Sequence, residues 1–122
     1  MNEGDKMVRQ NWLYWHKAID VDVILDIASK ETVSDAVTFG GLNEDYRRSK
    51  VSWLSGNQEI GNLIAPFVSS AAETMNVDVE PRCELQYTEY HGSQSGKYDW
   101  HHDVDWNRAD GMDRKLSVTV QL

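Results

Sequence analysis

The run Tyr98-Asp99-Trp100-His101-His102-Asp103-Val104-Asp105-Trp106 gathers two imidazoles and three carboxylates among aromatic rings. In an extended chain, side chains at i and i+2 leave on the same face, with their Cα atoms roughly 6.7 Å apart. His101 and Asp103 can therefore converge on one point, with Asp105 a further candidate and His102 directed to the other face. One neutral nitrogen and one anionic oxygen a single residue apart are the two local members of a 2-His-1-carboxylate facial triad, which leaves open positions on non-haem Fe(II). The third ligand must come from elsewhere in the fold.

The elements that have to position this run are read from periodicity. Met1 to Gln10 is polar and charged, a loose arm. Asn11 to Ile19 carries Trp12, Leu13, Tyr14 and Trp15, which fits an edge strand or a segment lying against the core; His16 within it reads as half-exposed, since nothing of ligand type lies beside it. Asp20 or Asp22 can cap a helix whose apolar residues Val21, Ile24, Leu25 and Ala28 recur at helical spacing, ending near Glu31. Val33 to Phe39 reads as a short strand closed by Gly40-Gly41, Leu42 to Tyr46 as a polar turn, and Arg47 to Leu54 as a second strand with Val51 and Trp53 on one face. From Gln58 to Met75, Ile60, Leu63, Ile64, Phe67, Val68, Ala71, Ala72 and Met75 follow helical spacing without a miss, the strongest periodic signal in the chain. Pro66 predicts a kink or a break there, because an interior proline removes a hydrogen bond and clashes one turn back.

After Met75 the composition changes. Arg82 to Tyr90, Tyr98 to Val104 and Arg114 to Leu122 are three strand-like runs separated by loops containing Gly92, Gly96 and Gly111. In the last run Leu116, Val118, Val120 and Leu122 alternate with Ser117, Thr119 and Gln121, one face apolar and one polar. Such polar faces are either solvent-facing surface or the wet lining of a ligand-holding barrel. The predicted fold class is α+β, a single domain over 1–122, with helical support to about residue 79 and a sheet core from about residue 80.

At 122 residues the chain is one domain at most, and its net charge of −8 speaks against a surface for phosphate backbones. Nucleic acid is the least favoured partner. The lone Cys83 permits no intrachain disulfide, and the N-terminus lacks a secretory pattern, which together predict a reducing, cytoplasmic setting. No apolar run approaches the roughly 20 residues that span a bilayer.

Placed in order, Tyr90, the hairpin His91 to Lys97, the Tyr98-x-x-His101-x-Asp103 segment and the Arg114-x-x-Ser117 strand resemble the prolyl 4-hydroxylase-like branch of the Fe(II)- and 2-oxoglutarate-dependent dioxygenases. The resemblance covers about Glu80 to Leu122, and more loosely the helices before it, which in that family buttress a double-stranded β-helix, or jelly roll. It implies that His101 and Asp103 are iron ligands, that Tyr90 lines the 2-oxoglutarate pocket and that Gln121 borders it. It also implies Fe(II), 2-oxoglutarate and O2 as cofactor and co-substrates, with ascorbate binding. The reaction would be hydroxylation of a C–H bond of a protein side chain or a small molecule, with release of succinate and CO2. Arg114 is expected to form a strand-end salt bridge to the acidic loop. His102 and Asp105 are expected to support the ligands or to face solvent, and His91 to lie on the surface.

In relatives a distal His, and beyond it an Arg or Lys for the far carboxylate of 2-oxoglutarate, follow several strands after the equivalent of Leu122. The chain is therefore expected to be the N-terminal portion of an oxygenase, with a partial β-helix and no turnover unaided. A different class of protein fits the same residues: a non-catalytic jelly-roll interaction or assembly module in which Trp-His-His-Asp is a hydrogen-bonded corner without metal. A zinc hydrolase would likewise need a further ligand.

Overall fold

The computed structural model describes residues 11–36, 42–80, 83–104 and 109–122. The proposed N-terminal arm, the strand end at Phe39 with its Gly40-Gly41 closure, the start of the third strand at Arg82, and Asp105 lie outside them. The chain is α+β, as the periodicity predicts. Its described elements run α1 (Val21–Ala28), β1 (Ser34–Asp35), β2 (Arg47–Arg48), β3 (Lys50–Trp53), α2 (Gln58–Met75), β4 (Gln86–Glu89) and β5 (Lys97–Tyr98), with a single 3-10 turn at Gly92–Gln94 between the last two.

Asp20, not Asp22, caps α1: its carboxylate accepts the Asp22 N–H at 3.1 Å. Asn57 caps α2 in the same way through the Ile60 N–H at 2.9 Å, and Asn76 closes it in the left-handed conformation at φ 54°, where Val77 N–H reaches Ala72 O at 3.0 Å. Of the kink or break expected at Pro66, the break does not occur: α2 runs from Gln58 to Met75 through it. Pro66 and Asn62, whose carbonyl loses its donor to the proline, are both exposed, so the interruption falls on the solvent side of the helix. Ile60 and Ile64 of α2 meet Ile24 and Ala28 of α1 and Leu54 in one apolar cluster, with Leu85, Tyr87 and Val120 packed against it. Each large aliphatic buried here contributes about 1.5–3 kcal/mol of transfer free energy.

The antiparallel order β1-β3-β4 forms one sheet, and β2 pairs with β5 in a second. The register Val51↔Thr88, Ser52↔Tyr87 and Trp53↔Gln86 places Tyr87 on the core side and Val51, Trp53, Gln86 and Thr88 on the other. Among the described residues the sheets do not close into a barrel. The stretch from Arg114 to Leu122, expected as a strand, forms no ladder; Leu116 and Val120 are half-buried while Val118 and Leu122 stay largely exposed. Its alternation specifies which side packs, but a strand also needs a hydrogen-bonding neighbour, which alternation does not supply. Residues 99–104 are likewise irregular where a strand was expected. Asn11 to Ile19 takes the second of its two readings, a non-strand segment whose Trp15 ring meets Phe67 edge-on at 5.3 Å. No helix among the described residues is long and apolar enough to cross a membrane.

Candidate metal centre

The expected hairpin His91 to Lys97 is a loop between two sheets, since β4 pairs with β3 and β5 with β2, and this loop determines where the His-x-Asp run begins. Gly96 N–H returns to His91 O at 2.9 Å, and a Cβ at Gly96 would stand 2.8–2.9 Å from the backbone of Tyr90 and His91, closer than any side chain can approach. β5 then pairs with β2 through Arg47↔Tyr98, and the ladder's last bond, Asp99 N–H to Tyr46 O at 2.9 Å, carries the chain to the site. The Tyr46 hydroxyl donates to Trp100 O at 3.0 Å. Burial, then the neighbouring Tyr98 and Asp99, raise the Tyr46 phenol above its ordinary value.

His101 lies flat on Tyr98, ring centroids 3.6 Å apart and 11° from parallel, with the Tyr46 ring edge-on at 6.5 Å. Its Nδ1 stands 2.7 Å from Asp99 O. A carbonyl can only accept, so Nδ1 carries a proton, and the nitrogen left to act as a ligand is Nε2. That Nε2 faces Asp103 Oδ1 at 3.4 Å, while Asp103 Oδ2 accepts the Ser117 hydroxyl at 2.5 Å. Arg114 donates through Nη1 to Asp103 O at 3.3 Å and pairs with Glu84 through Nη2 at 2.6 Å. The described ion-pair partner of Arg114 is thus Glu84, before β4, and its link to the acidic loop is to a backbone carbonyl.

The gap between Nε2 and Oδ1 is too long for a good hydrogen bond. It fits two donors on neighbouring positions of one first-row dication, which at about 2.1 Å from each would stand roughly 3.0–3.4 Å apart. The donor set, one imidazole nitrogen with its other nitrogen bonded to a carbonyl and one carboxylate oxygen with its twin bonded to a hydroxyl, suits a first-row dication, Fe(II) among them, without selecting one. Among the described residues no third His, Cys, Asp or Glu joins the pair.

Both residues border an open cleft of about 1220 Å³, which Tyr90, Gln121, Arg47 and Gln86 also line. Tyr90, 52 % exposed, stands at the end of β4, and Gln121 is exposed on the last segment. His102 is not turned fully away, since it edges the same cleft with Nδ1 on Val104 O at 3.1 Å. His91 is exposed and bonded to Glu89 at 2.8 Å, and exposed His16 bonds Tyr14 at 3.1 Å. Sequence reasoning left out Tyr46, Arg47 and the role of Ser117. The only trace of Arg47 was its alternation with Ser49 and Val51, all three buried.

Comparison with family models, with curated proteins and with solved structures gives no match to the chain.

Proposed function

We propose that the chain forms part of an Fe(II)- and 2-oxoglutarate-dependent dioxygenase in which His101 Nε2 and Asp103 Oδ1 hold the metal and a third protein ligand completes the triad. The observation that carries this reading is the 3.4 Å gap between two donors whose other atoms are already engaged, by Asp99 O and by the Ser117 hydroxyl. When bound, iron and 2-oxoglutarate supply the oxidising power that hydroxylates a C–H bond with release of succinate and CO2. The chain's own residues hold and orient: Ser117 aims the carboxylate, Tyr98 fixes the imidazole plane, and Arg114 ties the loop to the segment before β4. Tyr90 and Gln121 line the cleft where the co-substrate lies. In this reading β1 to β5 and the extended segment after Arg114 are the first part of a double-stranded β-helix, and the substrate is a protein side chain or a small molecule.

Titration with Mn(II), followed by NMR of the histidine rings, tests the proposal. The His101 signals are expected to broaden first, ahead of His16 and His91, and the effect is expected to vanish in His101→Ala and Asp103→Ala. Ser117→Ala is expected to weaken binding about 10- to 100-fold, the usual cost of removing a group that orients a ligand. Equal broadening of all histidines would refute the metal site and leave the hydrogen-bonded corner of a non-catalytic module.

A further inference from the structure

Arg47 is a buried cation whose described partners are all neutral. Only 7 % of its surface is exposed. Nε donates to Ser49 Oγ at 2.8 Å, Nη2 donates to Gln86 Oε1 at 3.0 Å, and the guanidinium lies 4.2 Å over the Tyr98 ring. Gln86 Oε1 also accepts from Thr88 at 3.1 Å, so that acceptor is held in place for the arginine. A guanidinium carries five N–H donors, and these bonds engage the pair formed by Nε and Nη2. The other pair, on Nη1 and Nη2, remains available: two parallel N–H bonds in the fork that matches a carboxylate. Among the described residues no fully buried side-chain nitrogen lacks a hydrogen-bond partner, so Nη1, for which no bond is formed, keeps part of the small accessible surface of Arg47.

A charge withdrawn from water without a counter-ion is costly, and the cost is recovered when an anion arrives. Arg47's neighbours Gln86, Thr88 and Tyr98 line the cleft that holds His101 and Asp103. Tyr98 is shared: the guanidinium lies 4.2 Å over its ring and His101 stacks on the same ring at 3.6 Å, so one aromatic side chain links the cation to the imidazole. The other cations on the cleft wall are engaged, Arg114 by Glu84 and Lys115 by Asp113.

We infer that Arg47 is the anion-recognition residue of the cleft and binds one carboxylate group of the ligand through its Nη1–Nη2 edge. The inference rests on the reading above only in taking this cleft as the reaction site. A single available cation suits a singly charged carboxylate better than a doubly charged phosphate.

The experiment is titration of the metal-free protein with glutarate, followed by calorimetry and by the guanidinium 15N signals. Saturable binding with a shift of the Arg47 signal is expected, with inorganic phosphate weaker. Arg47→Lys keeps the charge but lacks the paired donors, and is expected to weaken glutarate at least tenfold; Arg47→Gln is expected to abolish binding, with circular dichroism confirming the fold of both. Should Arg47→Gln fail to fold, Arg47→Lys carries the test. No binding to the wild type, equal binding to Arg47→Lys, or phosphate binding more tightly than glutarate overturns the inference. Adding Mn(II) and 2-oxoglutarate separates two sources of the carboxylate: displacement of glutarate assigns Arg47 to the co-substrate, and simultaneous binding assigns it to a carboxylate-bearing substrate, either supporting the inference. Glutarate binding that survives in His101→Ala shows that this site and the metal pair stand or fall separately.

Discussion

His101 gains its orientation from three neighbours of different kinds: a backbone carbonyl on Nδ1, a tyrosine face beneath the ring and a tyrosine edge beside it. Of these only the His-x-Asp parity and the adjacent Tyr98 could be read from the chain, because both are local. Arg47 and Gln86 are 39 residues apart, and no local pattern pairs them. A second polar group, in β4, makes a titratable prediction. Tyr87 donates to Glu89 Oε1 at 2.9 Å, and that bond, then burial and the carboxylate's charge, raise its phenol above the ordinary 10.0. A raised phenol stabilises the fold fully below about pH 10, and the contribution is lost as pH climbs through the higher folded value. In an alkaline absorbance titration two tyrosines, Tyr46 and Tyr87, are expected to ionise late, and Glu89→Gln to return one of them toward the ordinary range. An unchanged curve in that variant would contradict the assignment.

At the scale of elements, α2 was legible because eight apolar residues share one stripe; its caps, Asn57 and Asn76, were not read from the sequence. Nor was continuity through Pro66, since it depends on which side of the helix faces water. Because the proline stands on the exposed side and contributes no packing that alanine would lose, Pro66→Ala is expected to raise stability in urea unfolding, by up to about 3 kcal/mol. A lower midpoint would mean that the helix is shaped around the proline. The failure of Arg114 to Leu122 to appear as a strand has the opposite origin: its pattern is clear, and what is absent among the described residues is a neighbour to bond with.

For the whole molecule, that segment joins no ladder among the described residues and carries exposed apolar side chains, Val118 at 48 % and Leu122 at 49 %. An apolar stretch outside any ladder is a template for pairing with another copy. The net charge of −8 opposes such association only at low ionic strength. Self-association, measured by sedimentation velocity, is therefore expected to rise with salt, and Val118→Lys to reduce it; salt-independent monomers in the wild type would dismiss the idea. The loop between β4 and β5 imposes a different kind of limit. The backbone of Tyr90 and His91 occupies the space where any Cβ on residue 96 would sit, so main-chain contact sets the close approach at this point between the cleft-lining Tyr90 and the segment leading to the His101–Asp103 pair. Point substitution at residue 96 offers the protein no graded way to widen or narrow that approach, so divergence in ligand size along this axis must proceed by inserting or deleting whole residues in the loop, or by changing side chains elsewhere on the cleft wall.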